Sequence, residues 1–593
     1  MIIGVLQKCS NVRKLKEIHC HMITASIQKD NHLLFKSLQL NDSNYATLLF
    51  SQIPRPNEYS YNTIIRGMAT TWKDYNLALS FYLHMIRSGL RADNFTYPFV
   101  LIAFANLRRL SSGSATHASV FKAGLHMDSN TQHCLITMYA RCGELVNARR
   151  VFDEIIDRDL VSWNSMISGY SKMGFDREAL DLFRGMKDAG FDPNEMTIAS
   201  VLASCGGLGD VAMGRSLEAF VETKKFNLTS FLGSALIDMY GKCGDLDSAR
   251  RVFDGMDENK NKVAWNAMIT GYSQNGMAEE AIQLFRTMQS SVSTSTVKPD
   301  EITIVGVLSA CASIGALDVG KSVADYYLHR GDIKTSVDVY IGTALIDMYA
   351  KCGDLNRATE IFRLMQWKNE VTWNAMISAF AFHGRAREAL SCFAEMNLDG
   401  KVQPDERTFL GVLSACAHAG WVSEGRKWFT HMESVLKISP KIEHYSCMVD
   451  LLARSGRVDE AWAVVKRMPD DNYQPDAVML GSLLSACRTC KNVEVGEKVS
   501  QWLLQIEPWN SGNYVISSKI YAGSKRWSDS ARMRGLMRDR GVIKIPGCSW
   551  IEISKGRHQF RSGDAICSDI QLSCDTLNAD LSVHGYLPNT HLV

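Results

Sequence analysis

The chain has 593 residues, with 65 Lys or Arg against 63 Asp or Glu, so its formal net charge is only +2. That balance excludes a uniformly basic nucleic-acid binder, although a local basic groove stays open. A composition of 46% hydrophobic and 22% charged residues excludes a disordered chain, and no apolar run reaches the roughly 20 residues of a membrane span.

Taken in chain order, the first recurrent segment is Glu58-Tyr-Ser-Tyr-Asn-Thr-Ile-Ile-Arg-Gly-Met68. It returns as Leu160-Val-Ser-Trp-Asn-Ser-Met-Ile-Ser-Gly-Tyr170, then as Lys262-Val-Ala-Trp-Asn-Ala-Met-Ile-Thr-Gly-Tyr272. A last copy is Glu370-Val-Thr-Trp-Asn-Ala-Met-Ile-Ser-Ala-Phe380. A second series joins Cys134 to Gly143, Ala235 to Gly244 and Ala344 to Gly353. A third joins Val201 to Cys205, Val307 to Cys311 and Val412 to Cys416. A period of about 100 residues therefore divides into three shorter units.

Each unit reads as two helices. Trp163, Met166, Ile167 and Tyr170 share one helical face, Gly174 breaks the pattern, and Ala179, Leu182, Phe183 and Met186 form a second stripe. Gly190 and Pro193 end it. One short pair cannot bury both stripes, whereas stacked pairs can, which predicts an all-α solenoid. The cysteines follow the same period. Cys142, Cys243 and Cys352 share one repeat position and Cys205, Cys311 and Cys416 another, so they read as small core residues in a reducing compartment rather than a disulfide framework.

These units resemble plant pentatricopeptide repeats of the mixed class, in which standard (P), long (L) and short (S) motifs alternate. The resemblance implies an all-α, right-handed superhelical solenoid of helix-turn-helix repeats. P motifs fall at 58–93, 160–194, 262–300 and 370–405. L motifs fall at 94–128, 195–229, 301–338 and 406–441, and S motifs at 129–159, 230–261, 339–369 and 442–476. Residues 1–57 resemble a degenerate L motif and a shortened S motif, so the array proper is 58–476. Residues 477–545 resemble two extension motifs, through Gly481 to Arg488 and Asn513 to Tyr521. Pro546-Gly-Cys-Ser-Trp-Ile-Glu552 resembles the box that opens the family's deaminase-like domain, of which 546–593 would be a non-catalytic remnant.

Asn164 lies one residue past Trp163 and is expected to point about 100° away from the buried stripe. Asn62, Asn266 and Asn374 hold the same place. A carboxamide both donates and accepts, so it can address a base edge. The resemblance implies that this fifth position selects the base together with the last residue of the motif. It assigns U to Asn62 with Asp93, a pyrimidine to Asn164 with Asn194, A to Ser234 with Asn261, and U to Asn266 with Asp300. Thr343 with Asn369 would read A, and Asn374 with Asp405 U. His133 with Asp159 departs from the pattern. Pro98, Ala199, Val305 and Leu410 cannot hydrogen-bond through their side chains. The second-position residues Tyr59, Val161, Val263 and Val371 would pack against bases. Written 5′ to 3′, the target is U-n-n-Y-n-A-U-n-A-U, read on an unstacked single strand. An Asn near a helix start is also a common cap, but four in register, each with a terminal Asp or Asn, favour base reading.

Two enzyme signals are set aside. Gly315-Ala-Leu-Asp-Val-Gly-Lys-Ser322 matches a phosphate loop, yet it falls on the turn and second helix of an L motif, not between a strand and a helix. His431-Met-Glu433 and Cys487-Arg-Thr-Cys490 match fragments of a zinc deaminase site, but they are a whole motif apart and no Pro precedes Cys487. No catalytic residue, metal or cofactor is therefore assigned. Residues 519–561 hold eleven Lys or Arg against Asp529, Asp539 and Glu552, either a solvated face or a contact for RNA or an acidic partner. The resemblance implies site recognition in organellar cytidine-to-uridine editing, with a deaminase acting in trans as partner alongside single-stranded RNA. Splicing, processing or stability of organellar RNA, or a peptide-binding scaffold, are the alternatives. The expected compartment is the mitochondrion, with the chloroplast as alternative; no Arg- and Ser-rich presequence is evident in Ile2 to Ala25.

Overall fold

The computed structural model describes residues 6, 9–25, 30–224, 226, 228–256, 260–290, 297–328, 338–468, 474–544, 548–553 and 556–561, the last two stretches as backbone. The remainder of the expected deaminase-like remnant, including Pro546 and Gly585 to Thr590, lies outside the described residues, as does Lys555.

The repeats are helical hairpins, as expected. In the unit 160–194 the helices are Leu160–Lys172 and Asp176–Asp188. Gly174 at φ +75° and Gly190 at φ +84° supply the left-handed turns that end them. Met166, Ile167, Ala179, Leu182, Phe183 and Met186 are all buried. The chain forms two compact units, Met1–Gly306 and Val307–Val593. In the first, the leading helices Glu195–Leu208, Ser230–Cys243 and Lys262–Gln274 pack one on the next. In the second, Val339–Lys351, Glu370–Phe382, Glu406–Ala419, Ile442–Arg454 and Ala477–Cys490 likewise pack one on the next.

The repeated Trp is the joint between units. Trp163 stands edge-on to Phe152 with ring centroids 4.9 Å apart, Trp265 to Phe253 at 5.0 Å and Trp373 to Phe362 at 5.0 Å. Each Phe belongs to the helix that precedes the Trp-bearing one: Leu145–Glu154, Leu246–Gly255 and Leu355–Leu364. Tyr61 repeats the contact on Phe50 at 5.0 Å. Edge-to-face geometry adds about 0.5–1.5 kcal/mol beyond burial.

Close helix crossings fix the small residues. A Cβ on Gly241 would stand 3.2 Å from the Cα of Gly271, and one on Gly169 would meet the Cβ of Ala140 at 2.8 Å. Cys205, Cys311 and Cys416 are fully buried, and Cys243 and Cys352 place Sγ 3.8 Å from the carbonyls of Cys205 and Cys311. Burial pushes the Cys205 thiol up to about 12 and the Cys416 thiol up to about 11. The described cysteines are free thiols.

One element was not expected. Cys548–Ile553 and Gly556–Arg561 pair as an antiparallel hairpin, with Trp550 opposite Gln559 and Glu552 opposite Arg557. It follows the helical extension without altering the all-α class of the repeats.

Candidate nucleic-acid interface

The last residue of a motif is also the N-cap of the next motif's leading helix. Asn194, Asp300 and Asp405 accept the backbone N–H of Thr197, Thr303 and Thr408 at 3.0, 3.1 and 2.8 Å. Asp93 accepts from Phe95 N–H at 2.9 Å instead, because the helix there starts later, at Tyr97. Capping satisfies one of the orphan donors of a helix start.

The fifth-position amides converge on these caps. Nδ2 of Asn62 donates to Asp93 at 3.0 Å, of Asn164 to Asn194 at 3.1 Å, of Asn266 to Asp300 at 2.9 Å and of Asn374 to Asp405 at 2.9 Å. Sequence reasoning placed these side chains on an open face. Asn266 and Asn374 are instead only 7% exposed, because each amide is drawn against the following cap. So the cap and the fifth-position residue are different members of one cluster: the Asn does not cap its own helix.

A third member was missed. The hydroxyls of Thr96, Thr197, Thr303 and Thr408 donate to Oδ1 of Asn62, Asn164, Asn266 and Asn374 at 2.6, 2.6, 2.5 and 2.6 Å. In sequence these Thr read only as ordinary residues of a first helical turn.

The remaining pairs vary the theme. Ser234 donates back to the Ser230 carbonyl at 2.6 Å and lies 3.3 Å from Asn261 Oδ1. Thr343 donates to the Val339 carbonyl at 2.7 Å and meets the Thr372 hydroxyl at 2.8 Å, while Asn369 accepts from Thr372. His133 Nε2 lies 3.0 Å from Asp159 Oδ1, so the pair without a code still occupies the same place.

A further cluster lies near the N-terminus. Asn31 Nδ2 is 3.4 Å from Asn57 Oδ1, and Ser60 donates to Asn31 Oδ1 at 2.6 Å. Asn31 precedes Asn57 by the same spacing as His133 precedes Asp159 and Thr343 precedes Asn369. Asn31 has no Trp-Asn signature around it; only its spacing to Asn57 and Ser60 signals the pair.

Beside the clusters stand exposed apolar side chains. Tyr59, Val161, Val263 and Val371 are 51–58% exposed. Phe95, Met196, Phe231, Ile302 and Tyr340, near the starts of other leading helices, are exposed too, and sequence reasoning did not name them.

Asp300 and Asp405 are held in the ionised, acceptor-only form. Burial raises the pKa of Asp300, but the Thr303 N–H, the Asn266 amide, the Thr303 hydroxyl and Lys262 outweigh it and hold the group below its ordinary value. At Asp405 burial is likewise outweighed, by Thr408 N–H and hydroxyl, Asn374 and Arg407. Such a cluster offers an acceptor-only carboxylate beside an amide of fixed polarity and an apolar side chain.

Sequence comparison decides the family. A pentatricopeptide repeat-containing protein of Arabidopsis thaliana, whose name places it in the mitochondrion, is 38% identical over 595 residues, covering 93% of this chain and 85% of that protein. Another from the same plant, named as chloroplastic, is 36% identical over 629 residues, covering 99% and 83%. This chain belongs to the pentatricopeptide repeat family.

The profile of the PPR repeat matches residues 133–160, 161–191, 234–261, 343–370, 407–435 and 443–473, and that of the PPR repeat family matches 260–313 and 368–418. The E motif matches 490–552, overlapping the expected extension. The crystal structure of PPR10 from maize in complex with an 18-nt psaJ RNA element aligns at 18% identity and a TM-score of 0.49, over 88% of this chain and 87% of that one.

Within the E motif of this pentatricopeptide repeat chain, four of the eleven basic residues of 519–561 are engaged by neighbours in the fold. Arg526 bridges Glu497 and Asp529, and Arg532 also meets Asp529. Arg534 donates to Ser518 and Arg540 to Tyr514. The phosphate-loop match also has a repeat explanation. Gly320 lies inside helix Leu317–Leu328, where a Cβ would strike the buried Met348 sulfur at 2.5 Å. Gly113 and Gly214 face Met138 and Met239 in the same way.

Proposed function

We propose that this pentatricopeptide repeat chain is of the P-L-S subfamily and binds single-stranded RNA sequence-specifically. In our reading it recognises sites of organellar cytidine-to-uridine editing. The observation that carries this reading is the repeated cluster of fifth-position amide, terminal carboxylate or amide, and exposed apolar neighbour. An ionised Asp accepts only, so it favours a base that donates at its Watson–Crick edge, as N3–H of uracil does. The N3 of cytosine is an acceptor and would face it unfavourably. A terminal Asn such as Asn194 can turn a donor to the base and so admits either pyrimidine. Tyr59, Val161, Val263 and Val371 supply the packing surface that sequence-tolerant stacking needs.

Adding Asn31 with Asn57 extends the proposed target by one pyrimidine, to Y-U-n-n-Y-n-A-U-n-A-U. The E motif over 490–552 supports an editing role, with a deaminase of the family's type acting in trans, and we assign no catalytic step to this chain. The relatives' names include both mitochondrial and chloroplastic proteins; we favour the mitochondrion.

A mobility-shift titration tests the reading. The full chain is expected to bind an RNA carrying the target and to lose about tenfold in affinity, 1.4 kcal/mol, when the two A positions become C. Equal binding to both RNAs would overturn it and favour a protein-binding scaffold.

A further inference from the structure

The amides that would read bases are clamped from both ends, and the second clamp is supplied by the next motif. In each Asn cluster the cap residue's own backbone N–H donates to the Thr hydroxyl oxygen: Asp93 to Thr96 at 3.1 Å, Asn194 to Thr197 at 3.2 Å, Asp300 to Thr303 at 3.1 Å and Asp405 to Thr408 at 3.1 Å. A hydroxyl has one proton. With its oxygen already accepting from the backbone, that proton goes to the nearer acceptor, Asn Oδ1 at 2.5–2.6 Å, rather than to the cap carboxyl or carboxamide oxygen at 2.8–3.0 Å. The order of donors thus starts at a backbone N–H, whose direction is fixed, and ends at the Asn amide.

A carboxamide held at one end pivots about its terminal torsion, which has broad minima. Held at both ends it does not. We propose that Thr96, Thr197, Thr303 and Thr408 are positioning residues that lock the preceding Asn amide and thereby set how sharply each cluster discriminates U from C. The proposal rests on the RNA-reading function above and adds a residue to it.

The chain contains its own contrast. The residue in this position after Ser234 and Asn261 is Ala264, which has no hydroxyl, whereas after Thr343 and Asn369 it is Thr372, whose hydroxyl reaches Thr343 at 2.8 Å. After His133 and Asp159 it is Ser162, whose hydroxyl donates to the Asp159 carbonyl at 2.7 Å instead. The clamp is therefore built by Thr at four Asn clusters and by Ser60 at Asn31, where the Asn57 N–H donates to the Ser60 hydroxyl and that hydroxyl to Asn31 Oδ1; at Thr343 there is no amide to lock, and at Ser234 there is no hydroxyl to supply the lock.

The test uses the full chain and RNAs that carry U or C at the nucleotide assigned to Asn266 or at that assigned to Asn374. Thr303→Val keeps the side-chain shape and removes the proton. It is expected to lower the U-over-C ratio about tenfold at the first nucleotide and to leave the second within about twofold. Thr408→Val should do the reverse, and Thr303→Ser should restore the wild-type ratio. A purely structural role would weaken binding to every RNA alike with both ratios unchanged, and that result overturns the proposal. Wild-type chain that prefers U at neither nucleotide would instead sink the RNA reading itself. Ala264→Thr gives an arm that needs no loss of a hydroxyl: it should raise preference for A over G at its own nucleotide several-fold, and an unchanged ratio there counts against the clamp.

Discussion

Asp405 caps helix Glu406–Ala419 and holds the Asn374 amide with the same oxygen, so two substitutions can separate its duties. Asp405→Ala removes both and should cost about 1 kcal/mol of local stability, the usual value of a cap. Asp405→Asn keeps a good cap and should lower stability less, while moving base preference at that cluster from U towards C. Thermal melts beside the RNA titration read the two effects apart. The carboxylate also predicts a pH dependence. Its folded pKa is depressed, so its contribution is fully present above the ordinary carboxylate pKa of about 3.9 and is lost as pH falls through the folded value. The difference in melting temperature between wild type and Asp405→Asn should therefore narrow as pH drops from 5 towards 3. A difference constant over that range would mean that the ionised form has no special stabilisation in the fold.

At the scale of the helix, the leading helices Ser230–Cys243 and Lys262–Gln274 approach so closely at Gly241 and Gly271 that backbone faces backbone. Gly271→Val inserts a branched side chain into that crossing and should destabilise the local repeats by about 1–3 kcal/mol, the range for overpacking. Gly271→Ala has 3.4 Å to the Gly241 Cα, so strain and the gain in helix propensity nearly cancel. Denaturation of both variants, followed by the loss of helical circular dichroism, separates the cases; equal melting of the two would contradict the close crossing. Helices of this kind were legible because their stripes recur at 3.6 residues and their ends at glycines. The Trp-Asn signature carried the four Asn positions, since a repeated word survives when its neighbours change. What was not legible depends on contacts between motifs. Burial of Asn266 and Asn374 follows from the next motif's cap, and Thr303 and Thr408 become meaningful only beside the preceding amide. Asn31 was missed because His32 and Leu33 follow it where the word has Ala-Met. The hairpin at 548–561 was missed because a short strand pair there has no repeat copy to compare with.

Across the whole chain the decisive quantity is charge. With 65 basic and 63 acidic residues the net charge is only +2, and Arg149, Arg250, Arg454 and Arg526 are each paired to a carboxylate, so the chain presents little net positive charge to phosphates. For single-stranded nucleic acid the logarithm of affinity falls with the logarithm of salt at about −0.7 per phosphate neutralised. A chain that binds through base edges and apolar packing should therefore show a slope no steeper than about −3, equivalent to roughly four phosphates. Nearest-neighbour repeats also confine damage to the motif that carries it, so loss of one cluster should change the preferred base at one nucleotide and leave the salt slope alone. The E-motif basic stretch should contribute little to that slope, because Arg526, Arg532, Arg534 and Arg540 are already engaged within the fold. Lys525→Gln with Arg538→Gln, two exposed positions whose side chains are not part of that set, is expected to leave RNA affinity within about twofold at moderate salt. A wild-type slope near −6, or a slope that falls by more than about 1.4 in the double variant, the value for two phosphates, would show that phosphate contacts through the E motif drive binding instead.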